Sequence, residues 1–392
     1  MPYLDHAATT PLRPEVLDAM LPFLREHFGN ASSLHGPGRR ARVAVEGARR
    51  DVAEVLGCEP GEVVFTSGGT EADNAALWGP LTGAALRETG RPGLVTSAVE
   101  HEAVRQPAER LAAAGHPVTV LPPAPTGAVE PEAVRDALTD ATGLVSLMWV
   151  NNEVGTIHPV AELAALAHDA GARFHTDAVQ AAGLLPLHVD ALGVDLLSLS
   201  GHKVNGPKGV GALYLRGGTP FDAFVTGGSQ ERRRRGGTEN VAGIVGLAAA
   251  LALADAEREA HAARLRALQR RLGRQLADAL GDRLRVNTPL DGLADPSAPT
   301  APHVLNVSLR PGASGPLDGE MLIAGLDLAG VSVSAGSACT SGALEPSPVL
   351  LAMGVARDTA AATVRFSLGR DTTEADVDEA VAALAALARR MG

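Results

Sequence analysis

The sequence predicts an α/β protein with a large, mostly parallel sheet of seven strands covered on both faces by helices, followed by a smaller α+β part. Three observations carry this. Strand-like and helix-like runs alternate from about residue 60 to 215. The strand-like runs are almost continuously apolar, as strands buried on both faces must be. The stretches between most of them, such as Val160-Ala-Glu-Leu-Ala-Ala-Leu-Ala-His168, carry apolar residues at helical spacing.

The expected strands are Glu62–Phe65, Gly93–Thr96, Val118–Leu121, Leu144–Trp149, Ala172–His175, Leu196–Leu199 and Ala212–Leu215. After Gly237 a helical pattern runs to about Leu280. Its second half, Glu257 to Arg274, is Arg-rich and amphipathic, which suits an exposed connecting helix. The Pro/Gly/Asp/Ser-rich stretch Thr288 to Pro302 reads as a linker-like loop. Beyond it, strands at His303–Leu309 and Thr363–Leu368 and a helix at Glu374–Arg390 are expected. The division that follows is an N-terminal arm over 1–15 packing with the small domain, a large domain over 16–260, and a small domain over 261–392.

Composition narrows the function. The chain of 392 residues is long enough for two cores. A net charge of −11 argues against a general nucleic-acid binder. The one basic run, Arg232 to Arg235, suits a loop that meets phosphate or a partner chain, or else a solvated turn. The N-terminus lacks a basic region followed by an apolar stretch, so no signal peptide is expected. No apolar run reaches the roughly 18 residues of a membrane span. With only Cys58 and Cys339, a disulfide framework is excluded, and the cytosol is the simplest compartment.

Sites in doubly covered sheets lie beyond the carboxyl ends of the strands. Thr66-Ser-Gly-Gly-Thr70, Asn151-Asn152, Asp177 and Lys203 all fall there. A lysine after one strand and an aspartate after another match the needs of pyridoxal phosphate. The amine joins the cofactor aldehyde, and the carboxylate keeps the pyridine nitrogen protonated. Taken alone, Asp177 reads as a helix cap or turn residue. Gln180 and Asn152 could donate to the phenolic oxygen.

The small residues of Thr66–Thr70, opening a helix, suit a phosphate at the helix N-terminus, or a plain strand–turn–helix junction. His101, in Val99-Glu-His-Glu-Ala103, reads as a cap or as an imidazole stacked on the cofactor ring. Cys339 sits in Ser334-Ala-Gly-Ser-Ala-Cys-Thr-Ser-Gly342, where no large apolar neighbour buries it. By spacing alone it is equally a nucleophile or an ordinary loop cysteine. Cys58, after a helix, is assigned no chemistry. Arg365 in an apolar strand either snorkels or offers a fork to an α-carboxylate. Asn30 is a turn residue and a plausible second donor.

Together these segments resemble the NifS/IscS-type cysteine desulfurases, class V members of the fold-type I pyridoxal phosphate enzymes. The resemblance rests on Tyr3-Leu-Asp-His-Ala-Ala-Thr-Thr-Pro11, Thr66-Ser-Gly-Gly-Thr-Glu71, Asp177-Ala-Val-Gln180, Ser200-Gly-His-Lys203, Arg235-Gly-Gly-Thr-Glu239, Ser337-Ala-Cys-Thr-Ser341 and Arg365-Phe-Ser-Leu-Gly369. It implies Lys203 as the Schiff-base lysine, Asp177 as the pyridinium partner, and His101 stacking on the ring. Gln180 and Asn152 would lie at the phenolic oxygen and ring. Gly69, Thr70, Ser200 and His202 would bind the phosphate, with Thr238 supplied by the second subunit of a homodimer.

Arg365 and Asn30 would hold the carboxylate of L-cysteine, and Cys339 would take its sulfur as a persulfide. That sulfur would pass to an acceptor protein serving iron–sulfur cluster assembly or tRNA or cofactor thiolation. No metal, membrane or direct nucleic-acid partner is implied. Selenocysteine lyase, or another class V lyase or transaminase, is the alternative. Cys339 discriminates against it.

Overall fold

The computed structural model describes residues 1–295, 297–312, 315, 317–335 and 345–391. Seven strands, β1 (Val63–Thr66), β2 (Gly93–Ser97), β3 (Val118–Leu121), β4 (Thr142–Ser146), β5 (Arg173–Asp177), β6 (Leu196–Ser200) and β7 (Gly211–Leu215), form one sheet in the order β1-β7-β6-β5-β4-β2-β3. Only β7 runs against its neighbours. The mostly parallel seven-stranded sheet expected from the apolar runs is therefore present.

Alternation along these strands fills two cores. Leu94, Leu144, Leu196 and Leu213 pack with helices Gly69–Leu81 and Glu102–Ala113 on one face. Val95, Val145, Phe174, Leu197 and Tyr214 pack with Gly36–Leu56, Val160–Asp169 and the first part of Val241–Leu280 on the other. Both faces of the central strands are dry, so those strands read as largely apolar, whereas the edge strand β3 leaves Thr119 and Val120 exposed.

A second, antiparallel sheet joins β8 (Leu284–Val286), β9 (Val304–Leu309) and β10 (Thr363–Ser367) in the order β10-β9-β8. Its core gathers Leu305, Val307, Val364 and Phe366 with leucines of the second part of Val241–Leu280 and of helix Glu374–Arg390. Leu4 joins this core, and Leu4 N donates to Ser332 O, so the N-terminal arm is tied to it.

Three expectations need correction. The strand expected over Leu144–Trp149 ends at Ser146, because the backbone N–H of Met148 turns to the Glu100 carboxylate instead of the ladder. The stretch Thr288 to Pro302 is packed rather than a free linker. Thr288 and Ala301 are buried, and Ile157 N and Ala301 N make backbone bonds that pin it to the large sheet's domain. Glu257 to Arg274 is not wholly exposed, since Leu265, Leu268 and Leu272 bury one face against the second core.

Candidate active site

Strand ends at one edge of the large sheet surround an open cleft of about 1580 Å³. Gly69, Thr70, His101, Asn152, Asp177, Gln180, Ser200, His202, Lys203 and Arg365 all line it. Asn30 and Thr238 do not; both are exposed elsewhere on the chain. Cys339 lies outside the described residues.

Lys203 ends the 3-10 turn Gly201–Lys203 that follows β6. Its Nζ donates to the carbonyls of Ala7 and, at 2.9 Å, Ala8, both from the N-terminal arm. Burial, with Arg365 nearby, pulls the amine down to about 8, against the opposing pull of Asp177 and Asp5. About a tenth of the amine is thus uncharged at pH 7, far more than for an exposed lysine.

Asp177 is the last residue of β5 rather than one beyond it. Its Oδ1 accepts from Val179 N at 2.8 Å, which fixes the carboxylate at the strand end. Burial raises its pKa, and His101 and Lys203 counter that by favouring the anion. Asp73, fully buried behind it on helix Gly69–Leu81, is raised well above the carboxylate range by burial and by Asp177. Two buried carboxyls that repel each other cannot both ionise cheaply. His101 and Lys203 favour the charged form at Asp177, whereas Asp73 is pushed further toward its neutral form.

One wall of the cleft is built for an anion. Helix Gly69–Leu81 presents its free N–H groups there. A Cβ at Gly69 would meet Val179 Cγ2 at 2.8 Å and Ser200 Cβ at 3.4 Å, so only glycine lets the helix start this close to β5 and β6. Glu71 is drawn away by Ser67 N and an ion pair with Arg235 at 2.8 Å. His202 adds a ring whose Nδ1 meets Thr9 Oγ1 at 3.1 Å. Burial, Lys203 and Lys208 lower it to about 4, so it is neutral.

His101 is a helix cap that also faces the cleft. Its Nδ1 accepts from Ala103 N at 3.1 Å, capping helix Glu102–Ala113, while the exposed ring lines the cleft. Gln180 Nε2 donates to Ala7 O at 3.0 Å. Arg365, 5 % exposed on β10, reaches Asp5 Oδ1 at 2.9 Å and Asn152 O at 3.0 Å. Its Nε has no partner among the described residues, which leaves a donor for a carboxylate.

The basic run divides. Arg234 donates to Gly61 O and Arg235 pairs with Glu71, while Arg232 and Arg233 are exposed at positive φ. Cys58 is half-buried and its thiol is pushed up to about 12 by burial, which suits the absence of chemistry assigned to it. The sequence reading missed Asp5, Asp73, Glu100, Lys208 and His303. Asp5 lies inside the Tyr3–Pro11 motif and Glu100 next to His101 in Val99–Ala103, so both carboxylates were readable signals; the others carried no signal of their own.

Residues 2–380 match the family model for class V aminotransferases. A cysteine desulfurase IscS of Dictyoglomus turgidum is 46% identical over 376 residues, covering 96% of this chain and 91% of that one. A putative cysteine desulfurase IscS 1 of Bacillus subtilis is 43% identical, covering 99% of both. A solved NifS-like protein superimposes with a TM-score of 0.89 at 35% identity, covering 99% of both chains. The chain belongs to the class V aminotransferase family. Within that family it groups with the NifS/IscS-type cysteine desulfurases.

Proposed function

We infer that this chain is a pyridoxal phosphate-dependent cysteine desulfurase, which converts L-cysteine to L-alanine and passes the sulfur to Cys339. The observation that carries the reading is that Lys203, an amine lowered to about 8, and Asp177, a buried carboxyl at a strand end, open into one cleft with the Arg365 fork. The residues fit the cofactor: the Gly69 cradle and helix N-terminus suit its phosphate, and Lys203 and Asp177 suit its aldehyde and ring nitrogen. When bound, pyridoxal phosphate supplies an aldehyde for amines and a ring that draws electrons from the substrate Cα.

The chain's own residues then divide the work. Thr70, Ser200 and His202 hold the phosphate, and Asn152, Gln180 and His101 hold the ring. Asp177 keeps its negative charge against the ring nitrogen. Arg365 takes the substrate carboxylate, and Lys203 Nζ removes the proton from Cα. Cys339 Sγ attacks the substrate sulfur: an S–S bond forms as the Cβ–S bond breaks, and one proton delivered to Cβ and another returned to Cα complete alanine. His101 is the candidate for managing the thiol proton.

The division of the chain into arm, large domain and small domain is proposed at residues 15 and 260. Thr238, exposed outside its own chain's cleft, is proposed to complete the phosphate cradle of a second copy in a homodimer. Asn30, implied by the resemblance as a second donor to the substrate carboxylate, is proposed in that role although it does not line this chain's own cleft. Among the described residues no helix is long and apolar enough to cross a membrane. A cytoplasmic enzyme that hands sulfur to an iron–sulfur scaffold or a tRNA- or cofactor-thiolating partner is the fuller reading.

The test is product analysis with L-cysteine and a thiol reductant. Wild type should release alanine and sulfide in equal amounts. Cys339→Ala should keep its yellow cofactor but lose alanine production by at least about 100-fold, as expected when a nucleophile is removed. Undiminished turnover by that variant would instead favour a lyase that needs no thiol.

A further inference from the structure

Gln180 is held from two sides by segments far from it in sequence. Its Nε2 donates to Ala7 O in the N-terminal arm at 3.0 Å. Its Oε1 lies 3.1 Å from Nε2 of His303, the residue immediately before β9. Both side chains are buried, at 9 % and 6 % exposure. Gln180 nonetheless lines the cofactor cleft.

The donor and acceptor roles follow from this arrangement. A carbonyl oxygen only accepts, so the amide nitrogen of Gln180 must face Ala7 and its oxygen must face His303. His303 therefore carries its proton on Nε2 and donates it. Its Nδ1 has no partner, as a proton-free nitrogen without a donor nearby would not. A ring bearing one proton also agrees with burial and the cations around it, which lower His303 to about 3. With one amide N–H spent on Ala7, Gln180 has one N–H left, and its oxygen is already engaged. Without His303, the amide oxygen would lose the one donor it has among the described residues, and only the Ala7 bond would restrain its last torsion.

We propose that His303 is a positioning residue for the cofactor: its Nε2–H holds the Gln180 oxygen and so commits the remaining Gln180 N–H to the phenolic oxygen. The proposal rests on Gln180 serving as that ligand. It links the small sheet to the electronic state of the cofactor through one hydrogen bond, and assigns a role to a histidine that has no place in the reaction itself.

The experiment uses full-length protein stripped of cofactor and titrated with pyridoxal phosphate. It reads the dissociation constant and the pH midpoint of the bound cofactor's visible band. His303→Leu removes the donor at similar size, and His303→Gln keeps an amide N–H near the Nε2 position. His303→Asn, too short to reach, stands in if the leucine variant does not fold.

The leucine or asparagine variant should weaken cofactor binding about fivefold, the worth of one hydrogen bond, and move the band's midpoint. Glutamine should restore both to within about twofold of wild type. Gln180→Leu should do at least as much damage, and adding His303→Leu to it should do no more. If Gln180→Leu shifts both readouts while His303→Leu shifts neither, or if the double variant is additive, His303 has no positioning role. If Gln180→Leu itself leaves both unchanged, the assignment of Gln180 fails, and the positioning role of His303 fails with it.

Discussion

Lys203 shows what a single side chain gains from its surroundings. An exposed lysine is almost wholly charged at neutral pH and is a poor nucleophile. Here the Ala7 and Ala8 carbonyls hold the amine, and burial with Arg365 brings it to about 8. The neutral form attacks the cofactor aldehyde, so attachment should speed up about tenfold per pH unit from pH 6 to 7 and level off above about 8. Stopped-flow measurement of pyridoxal phosphate binding by stripped protein checks this. A rate still climbing steeply at pH 9.5 would mean an ordinary lysine.

Lys203, Asp177 and Gly69 were legible in the sequence because each ends or follows an apolar run at the active edge of a sheet. Asp73 and His303 were not. One is an unremarkable position in a helix and the other precedes a small-domain strand, and their partners are Asp177 and Gln180, remote in the chain. Spacing reports what a segment is, and it is silent on which segments meet.

At the scale of elements, the segment 217–240 is fastened by one buried ion pair. Arg49, from helix Gly36–Leu56, grips both oxygens of Glu231 at 2.7 and 2.8 Å, and Glu231 also accepts from Phe65 N in β1. The two side chains are 5% and 3% exposed. Glu231, Arg232 and Arg233 all adopt positive φ, a conformation non-glycine residues resist, so the fastening has strain to overcome. Glu231→Ala would strand the Arg49 charge inside the protein and should cost about 3–5 kcal/mol. Chemical denaturation measures that, and a loss below about 1 kcal/mol would show the pair to be dispensable. The basic run drew notice in the sequence for its arginines. The acidic residue just before it does the anchoring.

Across the whole molecule, the central strands of the large sheet were readable because both faces are dry, and the half-exposed edge strand β3 by its β-branched run, whereas β8, three residues long with two only half-buried, left too short a pattern to find. The stretch 288–302 was misread for the opposite reason: its four prolines and Gly292 resemble a linker, yet its backbone bonds to the large domain close it down. Helix Val241–Leu280 joins these scales. At 1.5 Å per residue its 40 residues form a rod about 60 Å long. Ile244, Leu247 and Leu251 belong to the first core and Leu265, Leu268, Leu272 and Leu276 to the second. Cutting the gene after codon 260 would therefore leave each fragment with an orphaned greasy stripe. Expressed separately the halves should be insoluble, and only co-expression should rescue them; a soluble, folded C-terminal fragment by circular dichroism would show that the shared rod is not a common keel.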